Sequence, residues 1–556
     1  MNHAQQDNEK RALVGLIMAC VLSWLAGWQI PLMEIDAVQY ANISREMLQH
    51  KSFFQVFDQG RDYLDKPPML FWLSSASMWI FGIRDWAYRL PSFLFAILAL
   101  YSTYRFALLY YSQRVALLSA LVLASSQAMF LINHDVRTDT MLMGWVMFSI
   151  WQLAVWLQKR NWTNLALASL AIAGGMMTKG PIALMVPIFA FSVHLILTRS
   201  FAWFFRWEYL VMLLIIAILL VPMSIGLYRQ YDLHPEKIMY GQKGISGLRF
   251  YYWTQSFGRI TGESTWHEND RFSFLFENLL WGFLPWTVLF VLGLVNGIWD
   301  WIRSKCFLSP GREAISLGGF LVTYCALASS RAQLPHYIYV VLPLASVFTG
   351  KFLDDFSFKK KWPRWLKPVT VFHYFLFSLL VVLMFVLLVF PFPPNRFIIL
   401  LSAFLMTGLF VLVLARNRIP LPPLPATCVL SILLINIWLD TGFYPKLLEF
   451  QESIPVSRFI KENKLNKDRI YLYKEAPPRS LDFYCDFSFK KTEQPESLRS
   501  GDYIVTNKEG MGTINRGQYQ IIDSGLAFHV TTLSLDVLDP ATRKSNSEGF
   551  YILIRN

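Results

Sequence analysis

The residues best suited to chemistry in this chain are charged groups set at the edges of long apolar runs. Met33-Glu34-Ile35-Asp36-Ala37 directly follows the first such run and places two carboxylates, Glu34 and Asp36, at its end. Next comes Tyr40-Ala41-Asn42-Ile43-Ser44-Arg45-Glu46-Met47-Leu48, which reads as an interfacial helix. Tyr63-Leu64-Asp65-Lys66-Pro67-Pro68 then sets an acid and a base ahead of a rigid Pro-Pro element. The acidic pair either does acid–base work or caps the following helix at its positive end, and Asp65-Lys66 is equally readable as a solvated pair. Spacing alone supports both readings.

A second group is Asn133-His134-Asp135-Val136-Arg137-Thr138-Asp139-Thr140. A carboxylate so close to apolar helices is costly unless it faces a polar cavity or finds a partner, which makes Asp139 a functional candidate. The alternative is a helix cap by Asp139 with Arg137 as a surface anchor. Lys179, in Met177-Thr178-Lys179-Gly180-Pro181, either snorkels to the interface or faces inward as a point charge for a lipid phosphate. Arg259, Glu263, His267, Glu268, Asp270 and Arg271 crowd a later loop ahead of Leu284-Pro285-Trp286. His267 beside carboxylates suits a metal, yet no HExxH or close histidine pair accompanies it, and a lone histidine is more often structural. In Ser329-Ser330-Arg331-Ala332-Gln333-Leu334-Pro335-His336-Tyr337, the side chains of Arg331, His336 and Tyr337 either donate to a phosphate or anchor a helix start at the headgroups.

A membrane must position these groups. Of 556 residues 54% are hydrophobic and only 16% charged, with a mean hydropathy of +0.37, which is too apolar for an ordinary soluble enzyme. Apolar runs recur near residues 11–31, 88–108, 115–133, 138–157, 161–177, 181–197, 208–227, 277–298, 313–329, 336–353, 367–391, 396–414 and 424–442. At about 20 residues per crossing they predict about 13 transmembrane helices. The first has a basic flank, Lys10 and Arg11, but no small-residue cleavage site, so it reads as an uncleaved signal anchor.

The formal net charge of +13 comes from basic clusters between the runs and not from a groove suited to nucleic acid, so no nucleic-acid partner is expected. With the N-terminus inside, Arg114; Lys159 and Arg160; Arg199 and Arg206; Arg303, Lys305 and Arg312; Lys351 to Lys367; and Arg416 and Arg418 all fall in cytoplasmic loops. An odd number of spans places residues 443–556 outside. There Arg469–Tyr473, Asp502–Val505, Tyr519–Ile522 and Phe550–Ile554 read as strands after an amphipathic stretch from Val456 to Lys464, a small α/β domain. The long outer loops, 34–87 and 229–275, are where function is expected. Five cysteines without a CxxC, of which only Cys485 lies outside, predict no disulfide. Walker, Rossmann and GxSxG signatures are absent, which argues against nucleotide-driven transport and serine hydrolysis.

Taken in order, these segments resemble the GT-C glycosyltransferases of the protein O-mannosyltransferase superfamily, and within it the bacterial enzymes that add aminoarabinose to lipid A. Those enzymes carry an acidic pair near the end of the first span, then YAxISREML, then Y-[FLM]-[DE]-K-P-P-L-x-[FY]-W. Here Glu34 and Asp36, Tyr40 to Leu48, and Tyr63-Leu64-Asp65-Lys66-Pro67-Pro68-Met69-Leu70-Phe71-Trp72 stand in those places. Phe81-Gly82, Arg89-Leu90-Pro91-Ser92, Thr178-Lys179-Gly180-Pro181, Leu284-Pro285-Trp286 and Leu334-Pro335-His336-Tyr337 continue the match, and Asp139 takes the place of the second acid. Ala37 departs from it, standing where the aminoarabinose enzymes have a further acid.

The resemblance implies a mostly α polytopic membrane protein of GT-C type, with a catalytic region at 1–442 and a periplasmic α/β domain at 443–556. It implies a bacterial inner membrane, the N-terminus in the cytoplasm, and transfer with inversion of a sugar from a polyprenyl-phosphate donor to a lipid A-like lipid or other envelope acceptor. Asp36 would be the principal catalytic acid, with Asp139 its partner and Glu34 beside them. Lys66, with Arg271, Lys179, Arg331, His336 and Tyr337, would hold the donor phosphate. Asp65 and His267 would match metal contacts for a divalent ion, Zn or Mg/Mn. The rival readings are a protein O-glycosyltransferase of the same fold and a lipid flippase. A flippase should show internal repeats with broken helices in matched positions, and the sequence shows no such repeat.

Overall fold

The computed structural model describes residues 3–256, 258, 261, 263, 269–309, 311–392, 397, 401, 420–474, 479–531 and 533–556. The chain is a mostly helical integral membrane protein. Among the described residues seven helices are long and apolar enough to cross a bilayer: Ala4–Gln29, Asp85–Tyr110, Thr138–Lys159, Glu208–Asp232, Pro335–Phe358, Pro363–Leu387 and Pro423–Leu448. An eighth span results if Gln113–Ala124 and Gln127–His134, bent by 51° where they meet, count as one.

The remaining apolar runs form shorter or broken helices, for local reasons. Trp162–Lys179 stops at Gly180, whose φ of +106° is strained for any residue with a Cβ. Pro181 then opens Ile182–Leu197, a helix of 16 residues. At 1.5 Å per residue such a helix rises roughly 24 Å, short of a hydrocarbon core about 30 Å thick. Leu284-Pro285-Trp286 divides the run at 277–298 into Phe274–Gly282 and Thr287–Arg303. The run at 396–414 lies, but for Phe397 and Leu401, outside the described residues.

Thr138–Lys159 and Pro335–Phe358 are the most enclosed spans, whereas Pro363–Leu387 and Glu208–Asp232 turn most of their apolar side chains outward, as lipid-facing helices do. Small residues set the closest approaches. A Cβ on Gly144 would lie 2.6 Å from the Phe95 carbonyl oxygen, and one on Gly350 would lie 2.7 Å from the Ser119 amide nitrogen. The first outer loop folds as helix Asp36–His50, a hairpin pairing Phe57–Asp58 with Arg61–Asp62, and helix Met69–Phe81. Val38, Ala41 and Met47 of its first helix are buried in a cluster with Leu70 and Phe71 of the second.

Beyond the last span, helix Ser453–Glu462 packs Val456 and Ile460 against a five-stranded sheet. The strand order is Lys490–Thr492, Ile470–Tyr473, Tyr503–Asn507, Glu548–Arg555, Tyr519–Ala527. The first three run parallel and the last two join by antiparallel pairing. Four of the five strands coincide with expected ones; the fifth, Lys490–Thr492, is a short lysine-bearing edge strand with no hydrophobic alternation to announce it. Helix Ser480–Cys485 fastens this sheet to the first outer loop: Arg479 pairs with Asp58 at 3.0 Å, Gln59 donates to Asp482 at 2.9 Å, and the Tyr484 hydroxyl donates to Asp85 at 3.0 Å.

Candidate active site

Asp36 begins helix Asp36–His50, where the positive end of the helix dipole favours a carboxylate. The segment leading to it is held from behind by the almost fully buried Arg89. That guanidinium donates to the carbonyl oxygens of Ile30 at 2.6 Å, of Trp28 and Pro31 at 3.3 Å, and of His134 at 3.3 Å. In front, Arg137 pairs with Asp36 and, at 2.6 Å, with Asp135. Burial opposes the Arg137 charge, but Asp135 and Asp36 outweigh it and raise the guanidinium above its ordinary range. Arg137 Nη1 also lies 3.3 Å from His336 Nδ1, and His336 Nε2 lies 3.8 Å from Asp139. Asp139 pairs with Lys179, whose ammonium stands 4.1 Å from the centre of the Tyr337 ring. Contacts therefore run unbroken from Asp36 through Arg137, His336 and Asp139 to Lys179, and each carboxylate in the series has a cationic partner, so that none stands alone in apolar surroundings.

Asp65 and Lys66 face this series from the first outer loop. Lys66 Nζ is 2.9 Å from Asp65 Oδ2, and Gln255, from the second long loop, donates to Asp65 Oδ1 at 2.8 Å. Beside them lies a cavity of about 570 Å³, which Asp36, Tyr40, Asp65, Lys66, Arg137, His336 and Tyr337 furnish with polar groups and Trp281, Leu334 and Leu448 with apolar ones. A narrower groove of about 150 Å³ starts at Asp139 and Lys179, shares Tyr337 with the cavity, and is otherwise walled largely by Leu142, Ile182, Met185, Phe189, Leu327 and Val340.

Of the residues singled out in the sequence, Asp36, Asp139, Lys66, Asp65, Lys179, His336 and Tyr337 thus come together. Three others do not. Arg271 is exposed and paired with Glu277 at 3.3 Å, and Arg331 is exposed on the turn before Pro335–Phe358; neither lines the cavity. Glu34 turns away from Asp36 towards helix Ser480–Cys485, where its Oε1 accepts from the Ser480 amide at 3.0 Å and from the Ser480 hydroxyl. His267 lies outside the described residues. Asp65 is engaged by Lys66 and Gln255, and among the described residues no three His, Cys, Asp or Glu side chains converge. The described donors do not by themselves fit a metal.

Burial raises the Glu34 carboxyl above its ordinary range, and the Ser480 hydrogen bonds, Arg479 and His529 offset only part of this. Between the ordinary value of 4.5 and the raised one, the folded protein keeps a proton that the unfolded chain has lost. Stability therefore falls as pH rises through that window and levels off above it. Glu34→Gln, which cannot ionise, is expected to flatten that slope, read as unfolding temperature in detergent from about pH 4 to about pH 8. An unchanged slope would show that Glu34 folds already ionised.

Asp135, Arg137, Tyr40, Gln255 and Arg89 join the site without having been named as candidates. For Arg137 the signal was present in the alternation Asp135-Val136-Arg137-Thr138-Asp139; for Gln255 there was none. The Asp139–Lys179 pair also yields a stability prediction, because Asp139 is almost wholly buried. Asp139→Asn takes the balancing charge from Lys179 and is expected to cost about 3–5 kcal/mol, with most of it restored in the double variant carrying Lys179→Gln. Thermal unfolding of the three variants checks this; equal losses in the single and double variants would show that the pair is not coupled.

Residues 65–225 match the family model described as dolichyl-phosphate-mannose-protein mannosyltransferase. The chain is 26% identical over 333 residues to the undecaprenyl phosphate-alpha-4-amino-4-deoxy-L-arabinose arabinosyl transferase of Wigglesworthia glossinidia brevipalpis, covering 59% of this chain and 55% of that one. It is 30% identical over 262 residues to the protein of the same name from Erwinia tasmaniensis, covering 46% and 44%. The chain thus spans about half the length of the curated relatives it matches. Its fold is similar across nearly the whole chain to the crystal structure of ArnT from Cupriavidus metallidurans in the apo state, with a TM-score of 0.67 at 16% identity, covering 92% of this chain and 95% of that one. The same protein bound to undecaprenyl phosphate gives 0.66 at 18% identity, covering 92% and 96%. By family model, by relatives and by fold, the resemblance to the GT-C glycosyltransferases read from the motifs holds.

Proposed function

We propose that this protein is an integral-membrane GT-C glycosyltransferase that moves a sugar from a polyprenyl-phosphate donor to a lipid A-like lipid or another envelope acceptor. The observation that carries this reading is the meeting, at Tyr337, of a charged cavity with an apolar groove. A donor with a sugar phosphate at one end and a prenyl chain at the other matches both: the head among Asp36, Lys66, Arg137 and His336, the chain along Ile182, Met185 and Phe189.

The acceptor oxygen attacks the anomeric carbon on the face opposite the phosphate. A bond from that carbon to the acceptor forms, its bond to the phosphate oxygen breaks, and polyprenyl phosphate leaves with the electron pair, inverting the centre. Asp36 takes the proton of a hydroxyl acceptor; an ionised phosphate acceptor brings no proton, and Asp36 then orients it. Lys66, with Lys179, His336 and Tyr337, offsets the charge growing on the departing phosphate. Asp139 positions Lys179 and His336, and Glu34 secures the segment before Asp36 to helix Ser480–Cys485.

In this reading residues 1–442 form a thirteen-span catalytic domain and 443–556 a periplasmic α/β domain, with the N-terminus on the cytoplasmic side of a bacterial inner membrane. Support comes from the end of helix Asp85–Tyr110 remote from the cavity, where cations gather as the positive-inside rule expects. There Arg114 pairs with Asp354 and Glu9, Lys359 with Asp354 and Asp355, and Lys361 with Asp355.

Purified protein given labelled undecaprenyl-phosphate sugars, with lipid A in one arm and envelope proteins in another, is expected to label the lipid. Label on protein alone would replace the acceptor class with a protein. Donor crossing a proteoliposome bilayer with no transfer in either arm would replace the transferase with a flippase.

A further inference from the structure

Gln451 stands where the span Pro423–Leu448 hands over to helix Ser453–Glu462, and it is almost fully buried, at 3% exposure. Its backbone is pinned on both sides: the amide donates to the Leu448 carbonyl at 3.1 Å, and the carbonyl accepts from the Ile454 amide at 2.8 Å. The side chain reaches from this turn to the segment that leads into Asp36. Its Nε2 donates to the Leu32 carbonyl at 3.0 Å, and its Oε1 accepts from the Glu34 amide at 3.1 Å. Residues 31–33 belong to no helix or strand. A carboxamide carries a donor and an acceptor side by side, so this one side chain serves residues 32 and 34 as a neighbouring strand would.

Tyr484 holds the same segment from helix Ser480–Cys485. Its hydroxyl accepts from the Leu32 amide at 2.6 Å and donates to Asp85, the first residue of helix Asp85–Tyr110, at 3.0 Å. Both backbone polar groups of Leu32, which is fully buried, and the amide of Glu34 are therefore met by two side chains from beyond the span Pro423–Leu448. Such groups are costly to leave unpaired away from water. Arg89 binds the carbonyls of Trp28, Ile30 and Pro31, so the chain passes from one holder to the next until Asp36 opens its helix. Neither Gln451 nor Tyr484 lines the cavity.

We propose that Gln451, with Tyr484, positions Asp36: it fixes residues 32–34 to the C-terminal part of the chain and so aims the carboxylate at the acceptor oxygen, without touching the reacting atoms. The proposal rests on the glycosyltransferase reading. It makes the C-terminal part of the chain a component of how the site is built, since losing the grip frees the segment two residues before Asp36.

Transfer from a labelled undecaprenyl-phosphate sugar to a hydroxyl acceptor is measured in detergent for wild type, Gln451→Met, Asp36→Asn and the double variant. Methionine keeps the length of an unbranched side chain and has nothing to bond either backbone atom. Gln451→Met should lose about ten- to a hundredfold in kcat, with binding of undecaprenyl phosphate within about twofold of wild type. In the Asp36→Asn background the same change should cost no more than about threefold, because a carboxylate already removed cannot be misplaced. Amide hydrogen exchange reads the grip directly: Gln451→Met should speed exchange at Glu34 by at least about tenfold, and Tyr484→Phe should do so at Leu32. Equal losses in the two backgrounds, a loss confined to KM, or full activity of Asp36→Asn alone overturns the positioning role, and unchanged exchange at Glu34 overturns the grip. If Gln451→Met does not fold, Tyr484→Phe takes its place in the comparison and is judged at Leu32. If wild type transfers nothing, the glycosyltransferase reading falls instead. Exchange then decides the grip alone: faster exchange in the variants upholds it, and equal exchange overturns it.

Discussion

Asp36→Asn is expected to lower kcat for a hydroxyl acceptor by about a thousandfold, the middle of the range for losing a general base. Asparagine keeps the shape of the side chain and still accepts from Arg137, so the unfolding temperature should stay close to wild type. What it loses is basicity and charge. An ionised phosphate acceptor needs no base, and with it the same variant should lose only about tenfold, the share owed to orientation. The contrast between the two acceptors decides the role of Asp36. A thousandfold loss with both would make Asp36 an electrostatic support for charge at the anomeric carbon, and full activity with both would remove it from the mechanism. Donor affinity, measured with undecaprenyl phosphate alone, should change little if Asp36 acts on the acceptor oxygen, because the cations of the cavity and not this acid meet the phosphate.

Much of this site was readable in the chain because charge stands out against an apolar background. Asp36, Asp139, Lys179 and His336 each sit near the end of an apolar run, where an ionisable group has to be explained, and Lys66 is marked by the Pro-Pro element that follows it. Which partner each would find was not readable. Asp36 meets Arg137, and Asp139 meets Lys179, across distances in sequence that helix packing alone closes. Where Glu34 points was not readable either. It stands two positions from Asp36 in the sequence, but the chain turns between them and sends one acid to Ser480 and the other to the cavity.

The fold divides along the same line. Hydropathy located the membrane-spanning region and charge alternation gave it a consistent sidedness, but a window average does not register how Gly180 with Pro181, or Pro285, interrupts a helix. Two such breaks in the helices set where charged groups stand. The break after Lys179 leaves its ammonium at the head of the apolar groove instead of inside a continuous helix, and the bend between Gln113–Ala124 and Gln127–His134 leads directly into the turn that carries Asp135 and Arg137. Arg271 and Arg331 show the converse limit: a cation in a suitable loop is easily named, but its reach depends on where the backbone goes.

Lys66→Gln is the second change expected to have a large effect, and the kind of loss is as informative as its size. Lys66 is held by Asp65 at 2.9 Å, ahead of the rigid Pro67-Pro68 element that opens helix Met69–Phe81, so its ammonium is fixed before any donor arrives. A cation placed where charge grows on a leaving phosphate acts mainly in the transition state, and its loss should lower kcat by about 10²–10³ even at saturating donor. The phosphate is already charged in the ground state, so binding of undecaprenyl phosphate should weaken as well, by about tenfold. Lys66→Arg keeps the charge but not the compact head, and should recover part of the binding and less of the rate. If Lys66→Gln raised the donor KM and left kcat intact, Lys66 would be an anchor for the bound lipid with no part in its departure. The charge on the leaving phosphate would then have to be met by Lys179 and His336 alone.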